Sequence, residues 1–526
     1  MSRLSISLAA AALMGLAACN PVHHAPPASS GAAPAQTRLT VAAALDGGAP
    51  VADIEAAMTR GDFTAQQLTQ AGLDRIAAQN PKLHAVIAVN PDAMAEAKAA
   101  DDARKAGRDL GPLMGIPVLI KDNIETLDPV ATTAGSLALK DNIGHRDSPL
   151  VARLRAGGAI IMAKTNLSEW ANIRSTHAVS GWSATGGLTA NAFDPARTAC
   201  GSSSGSGAGV AAHLAPLAVG TETDGSVTCP SSMEGLVGLK PTVGLISRTY
   251  IVPISHSQDT PGPMAHSVMD AAVMLNVMAG SDPLDAATAE ADAHKTDYAA
   301  GLAGYSLKGV RIGVLRDEQG NDPKTQAVFD GALKVLGDAG AVLVDIRSSE
   351  VKGLGDAENT VLHVELKADL DSYLSTTPAA VRTRTLADVI AFDTANAAQE
   401  MPYFQQEFFD QAELARGYVD PAYAAALNIS RGRSAAMIDG LLTANHVAAL
   451  IAPTYGPPWL SDLVYGDQYT GPSATSLPAT AGYPHLTVPM GQVQGLPVGL
   501  SFIGPKWGEA GLFRLGYAFE QARKGG

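Results

Sequence analysis

Six short apolar runs constrain this chain more than any other feature: "IPVLIKDN" from Ile116, "AIIMAKTN" from Ala159, "VRIGVLRD" from Val310, "AVLVDI" from Ala341, "AALIAPT" from Ala448 and "HLTVPMG" from His485. They are too continuously apolar for strands with one wet face. Several are rich in Val and Ile, and turn residues bound them, so they read as strands buried on both faces. Helical patterns separate them. "TAQQLTQAGLDRIAAQ" places Leu68, Ala71, Leu73 and Ile76 on one side with Thr64 as N-cap, and "PDAMAEAKAADDARKAG" reads as a solvated helix. The fold class is therefore α/β, with a large mixed, mainly parallel central sheet covered by helices on both faces.

No internal repeat or clean linker interrupts residues 46–526, so this stretch reads as one domain. Strand signals weaken and helical ones strengthen around 275–450, which suggests a helical cap. The 526 residues suffice for a large core, and with 46% apolar but only 5% aromatic residues that core must be aliphatic. A net charge of −14 and the lack of any Lys/Arg run exclude nucleic acid as a partner.

The N-terminus has a different character. "MSRLSISLAAAALMGLAACN" starts basic at Arg3 and continues apolar to Ala18, shorter than a membrane span and shaped like a signal peptide over residues 1–19. Leu16-Ala17-Ala18-Cys19 resembles a bacterial lipobox, with Cys19 as the lipidation site; a plain secretory signal is the alternative. Residues 20–45 open Pro-, Ala- and Ser-rich and read as a disordered tether, in which the His23–His24 pair carries no metal site. The expectation is an exported, periplasmic or cell-envelope protein that meets the membrane only through this anchor. Of the three cysteines, Cys200 and Cys229 remain; they are expected to be buried, unpaired residues packed beside a site, with a disulfide as the alternative.

That site lies in "CGSSSGSGAGVAAHLAPLAVGTETDGSVTCPSS", residues 200–232, where small hydroxyl residues gather at Ser202–Ser206 and again at Ser226. Gly201–Gly205 matches the G-x-S-x-G elbow of α/β-hydrolases, which would make Ser203 the nucleophile. The motif must follow a strand, however, and "NAFDPARTAC" is a loop. A phosphate loop fails because the Gly-Lys-Ser/Thr ending is absent. Around Ser226, the successive amides of Thr223, Asp224, Gly225 and Ser226 have the spacing to hold a developing oxyanion. A serine nucleophile needs a base, yet the twelve histidines are scattered, and no His/Cys ligand set supports a metal. Two lysines compete for the role, Lys121 and Lys164, each closing an apolar strand where burial disfavours its charge.

Taken together, "GIPVLIKDN", "GAIIMAKTNLSEWAN", "CGSSSGSGAG", "GTETDGSVTCP" and "GLVGLKPTVGLIS" resemble the amidase signature family in order and spacing, from about residue 50 to the end. The resemblance implies hydrolysis of linear carboxamides without cofactor or metal, by a serine–cis-serine–lysine triad. The matching positions are Ser226 as nucleophile, Ser202 as bridge and Lys121 as base, with Lys164 in a supporting place. The wording is most similar to bacterial peptide amidases, which remove C-terminal amides from peptides. Fatty-amide or aryl-amide hydrolysis and a non-catalytic binding protein remain as alternatives. Oligomeric state is not legible. Where most members read Gly-Gly-Ser-Ile-Arg, this chain has Asp224-Gly225-Ser226-Val227-Thr228. The lost arginine removes a cation beside the nucleophile, so a substrate recognised through a small carboxylate is not expected.

Overall fold

The computed structural model describes residues 38–347 and 349–525. Its strands, in chain order, are β1 (Val86–Val89), β2 (Pro117–Lys121), β3 (Ile160–Thr165), β4 (Trp182–Ser183), β5 (Gly187–Leu188), β6 (Leu217–Glu222), β7 (Val237–Lys240), β8 (Thr260–Ala265), β9 (Arg311–Leu315), β10 (Val342–Ile346), β11 (Leu450–Pro453), β12 (His485–Val493) and β13 (Leu496–Ile503). All but β4 and β5 join one eleven-stranded mixed sheet in the order β1-β3-β2-β6-β8-β7-β12-β13-β11-β9-β10. Parallel pairing is confined to the blocks β3-β2-β6 and β11-β9-β10, and the strands between them run antiparallel. The β12–β13 connection shows why the centre differs. Its two turn residues, Gln494 and Gly495, have φ of 54° and 84°, the left-handed pair that matches strand twist in a two-residue hairpin.

Every residue of β2, β3 and β6 is buried, as their continuous apolar runs require. Helices Ala65–Leu83, Ser204–Ala211, Val268–Met278, Pro323–Asp338 and Glu509–Gly525 pack on the sheet strands. The first begins with Thr64 in a reciprocal capping box with Gln67. Two expected boundaries move. Val41–Leu45 is a helix capped by Thr40, with Ala44 and Leu45 buried, so these residues belong to the folded body rather than the tether. β9 and β10 lie in the central sheet, because their Val/Ile runs pair in parallel with each other and with β11, and the helical cap begins after them.

That cap centres on helices Leu354–Ser375, Leu386–Ala395 and Glu407–Glu413, whose Leu366, Leu370, Val389 and Phe409 form a second apolar cluster with Trp170 and Ile254. It thereby covers loops at the strand ends where the candidate site lies, beyond the interior strands β2 and β6. The expected signal peptide, Cys19, the His23–His24 pair and the tether up to residue 37 lie outside the described residues. Among the described residues no helix is long and apolar enough to cross a membrane.

Candidate active site

Lys121 closes β2 and is fully buried. Its Nζ donates to Ser202 Oγ at 2.7 Å, to Thr221 Oγ1 at 2.9 Å and to the Thr221 carbonyl at 3.2 Å. These partners are all neutral. Burial pushes the ammonium down to about 7, with Asp259 and Glu222 opposing the shift from a distance. Asn123 Nδ2 also donates to Thr221 Oγ1 at 3.0 Å, which fixes that hydroxyl against the lysine.

Ser202 follows a cis peptide bond from Gly201, as the resemblance implies. The other serines of the cluster lock the loop in place. Ser203 Oγ donates to the Thr221 carbonyl at 3.0 Å, Ser204 Oγ to the Cys200 carbonyl at 2.5 Å and Ser206 Oγ to the Val219 carbonyl at 3.0 Å. Ser203 is wholly buried, so it is not exposed as an elbow nucleophile would be. Its amide instead donates to the Ser226 carbonyl at 3.1 Å and ties the two serine clusters together.

Ser226 sits between β6 and the short helix Thr228–Met233. Glu222 Oε2 accepts from the amides of Val227 (2.8 Å) and Thr228 (2.9 Å), holding the turn that presents Ser226. Glu222 carries no motif of its own in the sequence; an acid just ahead of a short helix start was the available signal. Gly225 has φ of 78°, so this turn needs glycine. Among the described residues the amides of Thr223, Asp224, Gly225 and Ser226 have no hydrogen-bond partner. Thr223 Oγ1 donates to Asp259 at 2.6 Å, another contact the sequence did not reveal, and burial pushes that carboxyl up to about 6.

Lys164 is equally buried but lies elsewhere: its Nζ is 3.1 Å from Asp122 Oδ1 and 2.7 Å from Thr132 Oγ1. The expectation of unpaired cysteines is overturned. Cys200 and Cys229 form a disulfide, because the tie between the serine loops brings their Cα atoms to 6.0 Å. Ser226, Gly201 and Thr223 line a cavity of about 300 Å³, and among the described residues no histidine lines it. A larger cavity of about 470 Å³ lies beyond Thr221 and shares Ala171, Thr223 and Ile254 with the first.

This arrangement provides a hydroxyl bonded to an amine whose charge burial disfavours, a second hydroxyl in an accessible cavity, and unpaired amides beside it. It can support nucleophilic attack on a carbonyl.

Known proteins show similar organisation. The chain is 38% identical over 485 residues to a probable amidase of Arabidopsis thaliana, covering 90% of each. It is 36% identical over 478 residues to a glutamyl-tRNA(Gln) amidotransferase subunit from Chloroflexus aurantiacus, covering 89% of this chain and 95% of that one. The crystal structure of the native peptide amidase from Stenotrophomonas maltophilia superposes with a TM-score of 0.85 at 47% identity, over 90% of this chain and 96% of that one. The family model described as Amidase matches residues 67–513, and the chain belongs to the amidase family, as a hydrolase of amide carbon–nitrogen bonds.

Proposed function

We propose that this amidase removes the terminal amide nitrogen from C-terminal peptide amides through an acyl-enzyme on Ser226. The observation that carries this reading is the 2.7 Å bond from buried Lys121 to Ser202, since a lysine pushed down to about 7 is a competent base near neutral pH. Ser226 Oγ bonds to the carbonyl carbon while its proton passes to Ser202 and the Ser202 proton to Lys121. The amides of Thr223–Ser226 stabilise the oxyanion. The relay returns a proton to the nitrogen, the C–N bond breaks and ammonia leaves. Water then attacks the ester along the same relay, freeing the acid and Ser226.

A peptide substrate is supported by the second cavity, which offers room for a chain beyond the scissile amide, and by 47% identity to the Stenotrophomonas peptide amidase. The test is ammonia release from N-acylated dipeptide amides, compared with aryl anilides and fatty amides. Faster turnover of anilides or fatty amides would overturn the peptide assignment.

Export with anchoring at Cys19 completes the proposal. It is supported by the Leu-Ala-Ala-Cys sequence and by a Cys200–Cys229 disulfide, which is rare in reducing compartments. Wild-type protein should fractionate with membranes and Cys19→Ala should not; equal recovery of both in the soluble fraction would refute the anchor.

A further inference from the structure

Among the described residues no lysine, arginine or histidine lines the cavity that holds Ser226, yet two carboxylates do, Asp224 and Asp467. Asp467 accepts from the Ser180 amide at 3.1 Å, Ser180 Oγ at 2.6 Å and Trp459 Nε1 at 3.1 Å. All three donors are neutral, so they orient the carboxylate with no cation to cancel it, while burial pushes its pKa up from the usual carboxylate range. Asp224 Oδ1 is buried without a hydrogen-bond partner. Three rings complete this wall. The Tyr469 centroid lies 5.4 Å from that of Tyr455 and 5.7 Å from that of Trp459, with both pairs edge-to-face.

The wall is anchored rather than mobile in its packing. The Thr198 amide donates to the Trp459 carbonyl at 2.9 Å, Arg197 Nη1 donates to the Pro458 carbonyl at 2.9 Å, and the Cys200–Cys229 pair packs against Tyr455 and Trp459. Aromatic quadrupoles and an uncancelled carboxylate attract a cation and disfavour an anion. The departing amide nitrogen fills little of 300 Å³, so the remaining volume suits the side chain of the residue bearing the amide.

We infer that the preferred substrate is a peptide amide whose C-terminal residue is basic, an argininamide or lysinamide, with Asp467 and the Tyr455–Trp459–Tyr469 wall receiving its cation. This rests on the amide-hydrolysis reading above. The experiment compares N-acylated dipeptides ending in argininamide, in the neutral isostere citrullinamide and in the α-amide of glutamate. The argininamide should lead citrullinamide in kcat/KM on the order of tenfold, with the glutamate amide slowest. In Asp467→Asn the argininamide-to-citrullinamide ratio should collapse toward one; Tyr469→Leu, at a partly exposed ring, should lower the same ratio. Equal turnover of argininamide and citrullinamide by the wild type, or an undiminished ratio in both variants, would overturn the inference while leaving amide hydrolysis standing. Absence of ammonia from the whole panel would overturn both.

Discussion

Two lysines lie at the ends of neighbouring parallel strands, Lys121 last in β2 and Lys164 next to last in β3, both buried, and their surroundings differ. Lys121 on β2 touches hydroxyls and a carbonyl, whereas Lys164 on β3 touches the Asp122 carboxylate. Burial is common to the two, so burial alone does not make a base. The difference is the partner. An amine surrounded by neutral groups gains little from its proton and gives it up near neutral pH; one against a carboxylate forms an ion pair. The register aligns Ile120 with Lys164 and Lys121 with Thr165, which offsets the two amines by one residue. That offset turns one amine toward Ser202 and the other toward Asp122.

The largest effect expected from breaking this contrast is on turnover. Lys121→Met keeps the volume but removes the proposed base, and kcat/KM should fall by about three orders of magnitude or more with the fold retained by circular dichroism. Lys164→Met should leave the activity of the folded fraction far less affected. It strands the Asp122 carboxylate in the interior, which should cost about 3–5 kcal/mol in denaturant unfolding. If the two variants lost activity alike while both stayed folded, the assignment of the base would fail.

The disulfide beside Lys121's partners offers a smaller perturbation. Cys229→Ser opens a bridge that spans 29 residues and should cost about 2–4 kcal/mol in unfolding experiments. It should also loosen the Tyr455–Trp459 wall before it affects the lysine.

The pH response is gentler still. Only neutral Lys121 accepts a proton, so kcat/KM should rise with pH through about 7 and fall roughly tenfold per unit below it. Stability has the same sign. The folded amine titrates near 7 and the unfolded one near its ordinary 10.5, so the unfolded chain binds the extra proton between these values and stability rises with pH across that window. Replacing body histidines by glutamine should leave the midpoint of the activity profile in place; a histidine variant that removed the rise in a folded protein would refute the lysine relay.

Much of this was legible in sequence because it is local. Continuous Val/Ile runs report burial on both faces, and Thr64 with Gln67 reports a helix start. Ser202, Ser226 and Lys121 were marked by small-residue clusters and a strand end, then sorted by the family resemblance. Other contributors left no local mark. Glu222 reads as one more acid until it is seen capping Val227 and Thr228, and Tyr455, Trp459, Tyr469 and Asp467 are scattered through an irregular stretch with no periodicity. The antiparallel centre of the sheet was also hidden, because strand direction depends on connections rather than on the strand's own composition.

The sequence by itself determined that buried strands would end in two lysines, that glycine and serine would crowd two loops, and that cysteines would flank them. Tertiary structure decided which lysine meets a hydroxyl, whether the cysteines join and what lines the cavity. The physical reason is separation along the chain. Lys121 and Ser202 are 81 residues apart, and Asp467 and Ser180 are 287, so their meeting depends on strand order, register and loop packing that no neighbouring residue encodes.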